Sequence, residues 1–301
     1  MYFSLLNKPK ISLILVAYKM SREVPKTLQT LAASYQRNIK VQDYEIILVE
    51  NFSDDLLDAQ ALTKEYPNLR YFLNTTNPSS PAYALNYGLN KSRGKHIAFC
   101  IDGARMFSPG ILDGIVKTAK LYKEYVLAIH SFHLGNEVQN LSVSKGYDSE
   151  TEDKLLASIS WADNGYRLFD ISVFAASSSG GWFSSIAESN CIVMPKKSAL
   201  ALNGYCEEFI TLGGGYANLD FYKRAQALSH HQLVYLLGEG TFHQVHGGVA
   251  TNLPDPPFDQ YLAEYKQIRG ENYSISELPE NTAYIGYLSS LSRKHILRLS
   301  T

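Results

Sequence analysis

Apolar runs alternate with stretches of helical periodicity in the N-terminal part of the chain. The runs are ISLILVAY (11–18), YEIILVE (44–50), LRYFLN (69–74) and KHIAFCID (95–102). The spacing of apolar residues between them predicts helices over 22–36, 55–66 and 80–94. Continuous apolar strands alternating with helices are typical of a parallel sheet with helices on both faces. The pattern therefore predicts an α/β fold whose ligands bind at the carboxyl ends of the strands.

Beyond residue 102 the pattern is more varied. It predicts a helix over 108–122, a strand over 125–135 and irregular loops over 136–181. A strand and a short helix follow in SNCIVMPKKSALALNGY, then a glycine turn (GGGY) with a helix, and then LVYLLGEGTFHQVHGG, a strand that enters a histidine-bearing loop. We expect Gly94 to cap the helix over 80–94, and Ser108 and Pro109 to occupy the N-cap and first position of the next helix. The tail after 252 carries one predicted helix near FDQYLAEYKQIRG.

Composition excludes some classes of protein. The 301 residues carry a formal net charge of -1, which argues against a protein held to nucleic acid by phosphate contacts. The three cysteines form no CxxC pair, which favours a reducing compartment. No apolar run is long enough to span a membrane, and the N-terminus lacks a signal-peptide pattern. We therefore expect a cytoplasmic protein.

Three polar features at strand ends are candidates for chemistry. Asp102 follows the fourth strand, Glu50 ends the second, and His243 and His246 lie after the last strand. Strand-end carboxylates in parallel sheets often bind ligands, and histidine is a common metal ligand. Each also has a purely structural interpretation, as a turn residue or a buried polar group. Position alone leaves these alternatives open.

The order of the motifs resembles that of family 2 glycosyltransferases with the GT-A fold. The resemblance covers roughly residues 10–250 and is carried by AYALNYGLNKSRGKHIAFCID, NGYCEEF, GGGYANLDFYKRA and FHQVHGG. It implies a Rossmann-like, mostly parallel central sheet with helices on both faces. It also implies one GT-A domain over 1–252, with 253–301 as an extension or lid packed on the same domain.

The resemblance implies a binding site for a nucleotide sugar. By position, the donor would be held by Val16, Ala17, Tyr18, Glu50, Asn86, Asp102, Gly103 and Arg105, with Arg269 reaching the phosphate from a lid. The family normally ends its fourth strand in Asp-x-Asp, which binds a divalent cation. Here Ala104 replaces the second carboxylate. Two replacements are possible: Asp102 with His246 or His243 binds Mn²⁺ or Mg²⁺, or the Arg105 guanidinium pairs with phosphate directly.

The catalytic base is a second departure from the family pattern. Inverting members carry a Glu-Asp pair at the start of the helix after the glycine turn, where this chain has Ala217 and Asn218. Asparagine does not accept a proton in catalysis. Asp220 lies two residues further on, about 200° around the helix. Glu188, just before the SNCIVM strand, is the remaining candidate.

The resemblance implies an inverting transferase that moves a sugar from a nucleotide-diphosphate sugar, with a UDP-sugar as the expected donor, to a glycan or lipid-linked acceptor in surface polysaccharide synthesis. The alternative is a non-catalytic relative that binds a nucleotide or glycan without turnover. A nucleotidyltransferase is disfavoured because AYKMSREV lacks the glycine-rich loop that such enzymes use. We expect no nucleic-acid partner and no transmembrane segment. Peripheral contact with the inner face of the membrane and a homodimer remain open.

Overall fold

The computed structural model of the protein describes residues 8–76, 80–253 and 255–297, without the side chains of Ala250 and Leu297. Residues 1–7, on which the leader-peptide expectation partly rests, lie outside this description. The described strands are β1 (Ile11–Ala17), β2 (Tyr44–Asn51), β3 (Leu69–Asn74), β4 (His96–Cys100), β5 (Arg105–Phe107), β6 (Tyr125–Leu134), β7 (Ser172–Phe174), β8 (Ile192–Pro195), β9 (Gln232–His243) and β10 (Ala283–Gly286). The described helices are α1 (Glu23–Leu31), α2 (Ala59–Glu65), α3 (Pro81–Lys91), α4 (Ile111–Leu121), α5 (Gln139–Ser144), α6 (Ser149–Ala157), α7 (Lys196–Ala201), α8 (Ala217–Gln226), α9 (Val249–Asn252), α10 (Phe258–Arg269) and α11 (Ser290–Leu297).

Within these ranges the strands form one mixed sheet. Its main path runs β10-β9-β6-β8-β4-β1-β2-β3, while β5 pairs with β9 and β7 pairs with β6. The strands from β4 to β3 pair in parallel, and so do β6, β9 and β10. On the main path only β8 runs in the opposite direction, antiparallel to both β4 and β6. The predicted mostly parallel sheet is confirmed, and the loop that enters β8 lies at the edge where β4 ends.

Alternating residues of the central strands pack into two separate apolar layers, one on each face of the sheet. On β1, Leu13 and Leu15 pack with α1, α2 and α4, while Ile14 and Val16 pack with α3, α7 and α8. Both faces of the sheet are therefore covered, which explains why β1 and β2 are buried along their whole length. The helices on both faces are confirmed as predicted.

Two local predictions about the C-terminal ends of helices are wrong. Helix α1 ends at Leu31 because Ala32 adopts an extended conformation. The C-cap of α3 is Ser92 rather than Gly94. Gly94 serves instead for close packing, since a Cβ on it would lie 2.6 Å from the backbone nitrogen of Ser12. A glycine in such a turn therefore has two possible reasons, a cap or a close approach, and the sequence does not separate them.

The start of α4 also differs from the prediction. The helix begins at Ile111 with Gly110 as its N-cap, so Ser108 and Pro109 precede it. The Ser108 hydroxyl donates to the carboxylate of Glu239 at 2.5 Å, and the backbone N–H of Gly110 donates to the same carboxylate at 2.9 Å. A buried carboxylate from β9 thus caps the helix in place of the serine.

Residues 136–181 are more regular than predicted. They contain α5, α6, the short strand β7 and two 3-10 segments, Gly165–Ile171 and Ala176–Ser178. This segment builds a third apolar cluster with β6 and β9 around Phe132, Phe169, Trp182 and Phe242. The apolar periodicity of α5 and α6 is weak because few of their residues are buried, so the sequence did not predict them.

The segment after 252 contains the predicted helix and an unpredicted strand. Helix α10 spans Phe258–Arg269, as expected. Strand β10 then pairs in parallel with β9, so this segment extends the same sheet. In the described part of the chain, no helix combines the length and the apolar character that crossing a membrane requires.

Candidate functional site

Asp102, His243 and His246 meet at the edge of the sheet. Their ligand atoms all lie within 4.8 Å of one another. His243 Nε2 is 2.8 Å from one Asp102 oxygen, His246 Nε2 is 3.7 Å from the other, and the two Nε2 atoms are 3.1 Å apart. The pairing of β5 with β9 explains this, because it places Arg105 directly opposite His243 and returns the Asp102 turn to the end of β9.

Neighbouring groups orient this cluster. The His243 Nδ1 atom is hydrogen-bonded to the side-chain oxygen of Gln139, and the backbone N–H of Ala104 donates to Asp102 at 2.9 Å. Burial lowers the pKa of His243 to about 4, so its ring is neutral at pH 7. Burial alone would raise the pKa of Asp102, but His243, His246 and Arg105 hold it well below its ordinary value.

The donor set fits a divalent cation. The Gln139 amide oxygen bonds Nδ1, so Nε2 is the His243 nitrogen that faces Asp102 and His246. Two imidazole nitrogens and a carboxylate thus converge on one point. Separations near 3 Å are those expected for ligands that each lie about 2.1 Å from a shared metal ion. Mixed nitrogen and oxygen ligands favour Mn²⁺ over Mg²⁺.

Arg105 lies beside this cluster without a full set of partners. Its Nε atom is 3.5 Å from Asp102, and its side chain is almost completely buried. Within the described part of the chain, Nε and Nη1 have no hydrogen-bond partner. Burial lowers the pKa of the guanidinium, against the fields of Asp102 and Glu188. An unsatisfied buried cation of this kind is costly unless an anionic group completes its bonds.

The end of β1 meets the Asp102 turn. Val16 and Ala17 are buried, and Tyr18 is 38% exposed. The backbone N–H of Gly103 donates to the carbonyl of Val16 at 2.7 Å. A Cβ on Gly103 would lie 2.8 Å from that carbonyl, so only glycine allows this approach. The contact between Val16 and Gly103 thus joins the end of β1, which Tyr18 follows, to the turn that carries Asp102.

Glu50 and Asn86 make contacts within the protein. The Glu50 carboxylate is buried and accepts from the backbone N–H of Leu57 at 3.1 Å and the hydroxyl of Tyr71 at 2.6 Å. Burial raises its pKa. The Asn86 amide exchanges hydrogen bonds of 2.8 and 2.9 Å with the backbone of Tyr205. Both side chains hold loops at the sheet edge in this structure.

The three candidate bases differ in their surroundings. Helix α8 begins at Ala217, so Asn218 and Asp220 both lie in its first turns. Asp220 is 1% exposed and forms ion pairs with Arg224 at 2.8 Å and with Arg269 at 2.5 Å. Arg269 therefore anchors α10 to α8 here. Glu188 instead accepts from the Asn218 amide at 2.6 Å.

Sequence reasoning missed Gln139 and Glu152. Gln139 bonds His243, and its own backbone N–H donates to His133 at 2.9 Å. The buried Glu152 accepts from the N–H of Val245 at 2.8 Å, which fixes the histidine-bearing loop. Both lie in the segment predicted as loops. The stretch EDKLL, in which Glu152 lies three and four residues before an apolar pair, was the available signal for Glu152, but it does not identify the partner.

Glu152 makes stability depend on pH. Burial raises its pKa from 4.5 to about 7. A carboxyl group that binds its proton more tightly in the folded chain loses stability for that chain as the pH rises from about 4.5 to about 7. Glu152→Gln removes this loss, so its free energy of unfolding should rise relative to that of wild type by roughly 2.5 kcal/mol between pH 5 and pH 8. Urea unfolding at both pH values measures this difference in free energy.

Glu150→Gln, an exposed change on α6, is the control for this prediction. If the free energy of unfolding of Glu152→Gln and of wild type changed equally with pH, the prediction would be contradicted.

Comparison with solved structures identifies the fold. S. aureus TarS superimposes with a TM-score of 0.54 at 13% identity, covering 78% of this chain and 37% of that chain. S. aureus TarS 1-349 in complex with UDP-GlcNAc also gives 0.54 at 13% identity, covering 85% and 66%. The mannosyltransferase PcManGT from Pyrobaculum calidifontis, in complex with GDP-Man and Mn²⁺, gives 0.50 at 14% identity, covering 87% and 62%. The chain thus spans little more than a third of the first TarS chain. At this identity the likeness shows a shared fold, the GT-A fold.

The sequence comparisons reach further. No curated protein matches the chain in sequence. A profile of the family described as Glycosyl transferase family 2 matches residues 12–175, from β1 through β7. This match ends before Glu188, α8 and the histidine loop, so it covers Asp102 but not its two histidine partners. Because the profile spans more than half of the 301 residues, the chain belongs to glycosyl transferase family 2.

Proposed function

We propose that the protein is an inverting transferase that uses a nucleotide-diphosphate sugar and a divalent cation. The observation that carries this proposal is the convergence of Asp102, His243 and His246 at the strand edge of a family 2 fold. A UDP-linked donor is proposed because TarS 1-349 was solved with UDP-GlcNAc. The proposed acceptor is a glycan or lipid-linked sugar of a surface polysaccharide.

The cation would be held by Asp102, His243 and His246. When bound, it neutralises charge on the nucleoside diphosphate leaving group. The two histidines then stand in for the carboxylate that Ala104 replaces. Arg105 supplies a further positive charge, and its free N–H groups are matched to phosphate or sugar oxygens.

The remaining donor contacts are assigned by position. We place the nucleoside against Val16, Ala17 and Tyr18, since Tyr18 is the exposed ring at the end of β1. Gly103 lets the Asp102 turn approach the end of β1 closely. Glu50, Asn86 and Arg269 stay in the proposal as groups that shape the site. Their protein contacts support an indirect role, because each is already bonded to another loop or helix.

Nucleotide binding is the first test. Thermal unfolding is measured with UDP, GDP and CDP, each with and without Mn²⁺. A ligand at about a hundred times its dissociation constant adds about 2.7 kcal/mol, which raises the midpoint by several degrees. We expect UDP to raise it only when Mn²⁺ is present.

The other outcomes favour other functions. An equal rise without Mn²⁺ would assign phosphate binding to Arg105 and contradict the cation site. A rise without any donor turnover would favour the non-catalytic relative. No rise with any nucleotide would overturn the proposed function.

A further inference from the structure

Glu188 and Asn218 form a hydrogen-bonded pair across the sheet edge. The Asn218 Nδ2 atom donates to Glu188 Oε2 at 2.6 Å. The other Glu188 oxygen accepts from the Asn190 amide at 3.3 Å. Glu188 is half-buried, whereas Asn218 is 4% exposed. The carboxylate therefore has a fixed position and access to solvent.

The Asn218 amide is itself held in one orientation. The Tyr205 hydroxyl donates to Asn218 Oδ1 at 3.0 Å, which leaves the amide N–H groups facing Glu188. The Tyr205 ring stacks on Phe221 with centroids 4.1 Å apart. Tyr205 is fully packed in the apolar layer below α8. A rigid ring thus orients the amide, and the amide orients the carboxylate.

Glu188 differs from the other carboxylates of the edge. Asp102 faces two histidines and Arg105, and Asp220 is enclosed by two arginines. Among the ion pairs of the described residues, Glu188 takes part in none. A general base must be free to accept a proton, so the neighbours of Asp102 and Asp220 exclude them from that task.

The topology places Glu188 at the correct edge. Strand β8 is antiparallel to β4, with Ile192 opposite Phe99, so the residues before β8 lie beside the residues after β4. Those residues carry Asp102. The charges of Asp102 and Glu188 both act on the Arg105 guanidinium and favour its protonated form. In an inverting displacement the base and the leaving group lie on opposite sides of the sugar, so the assignment requires the sugar to bind between Glu188 and the Asp102 cluster.

We propose that Glu188 is the general base and that Asn218 and Tyr205 are positioning residues, so that the loop before β8 supplies the carboxylate that family members carry on the helix. This rests on the proposed function. The acceptor hydroxyl oxygen bonds to the anomeric carbon, and its proton moves to a Glu188 oxygen. The bond from that carbon to the phosphate oxygen breaks, and its electron pair leaves with the nucleoside diphosphate.

Donor cleavage tests the assignment without a known acceptor. UDP release is measured from UDP-GlcNAc, UDP-glucose and UDP-galactose with Mn²⁺, with water as the acceptor. Glu188→Gln should slow release at least a hundredfold, within the usual range of about 10² to 10⁴ for a lost general base. Its midpoint shift with UDP and Mn²⁺ should equal that of wild type. Glu65→Gln, an exposed change on α2, should alter neither quantity.

A double variant separates catalysis from structure. Glu188→Gln with Asn218→Asp moves the carboxylate to α8 and keeps a hydrogen bond between the two side chains. The double variant should release UDP at least ten times faster than Glu188→Gln alone. Asn218→Ala should slow release by about tenfold to a hundredfold, because Glu188 loses its fixed orientation. A purely structural role predicts no recovery in the double variant.

The remaining outcomes are distinct. Wild-type rates in Glu188→Gln would overturn the assignment. A wild-type protein that binds UDP with Mn²⁺ but cleaves none of the three donors would also overturn it and leave the nucleotide site standing. Absence of any nucleotide-induced shift would overturn the proposed function itself.

Discussion

Asp102→Asn should abolish the Mn²⁺-dependent stabilisation of the protein by UDP. Asp102 supplies the single carboxylate of the cluster, and His243 and His246 each approach one of its two oxygens. An amide oxygen binds a hard cation weakly and leaves its charge uncompensated. We expect the affinity for UDP with Mn²⁺ to fall at least a hundredfold. At the same ligand concentration, the stabilisation of about 2.7 kcal/mol and the rise of the unfolding midpoint that it causes should then disappear.

Titration calorimetry and thermal unfolding measure this loss. Asp163→Asn, an exposed change in the loop after α6, is the matched control and should retain the full shift. If Asp102→Asn kept a Mn²⁺-dependent shift, the cation would bind elsewhere. The histidines would then have only the role of buried polar groups.

Asp220→Ala should destabilise the fold by about 3 kcal/mol. The carboxylate is 1% exposed and pairs with Arg224 and Arg269, so its loss leaves both guanidinium groups without their ion pair and removes the ion pair that links α10 to α8. Because both arginines are partly exposed, water compensates some of the cost. This places the effect at the low end of the range for broken buried pairs.

Urea unfolding gives the free energy for this comparison. Asp113→Ala is the matched control, because Asp113 also pairs with a cation one helical turn away, Lys117, which is largely exposed. Its loss should cost less than about 1 kcal/mol. Near-normal stability of Asp220→Ala together with lost turnover would show that Asp220 is the base and not an anchor.

The central fold was predictable because its apolar runs are long. Strands β1, β2 and β3 match the predicted runs closely, since all of their residues except Leu73 of β3 are buried or half-buried. Strand β10 lacks that signal: its residues alternate between half-buried and exposed, and it is only 4 residues long. Pairing at a sheet edge leaves little trace in such a sequence.

The site was predictable only in part. Asp102 was identified from its place at a strand end. Its approach to His243 and His246 came from family resemblance, because no local pattern reports contacts between distant strands. The bond from Gln139 to His243 was missed for the same reason. The pair formed by Glu188 and Asn218 depends on the reversed direction of β8, which periodicity does not reveal.

The pairing of β10 with β9 bears on how the chain tolerates truncation. Strand β9 spans 12 residues, nearly all buried, and β10 covers one of its edges. A chain cut after residue 252 would present that edge with unpaired N–H and C=O groups, and uncovered edges of this kind template association between copies. It would also lose Arg269 from Asp220. We therefore expect the last segment to protect the protein against aggregation, independently of the proposed catalysis.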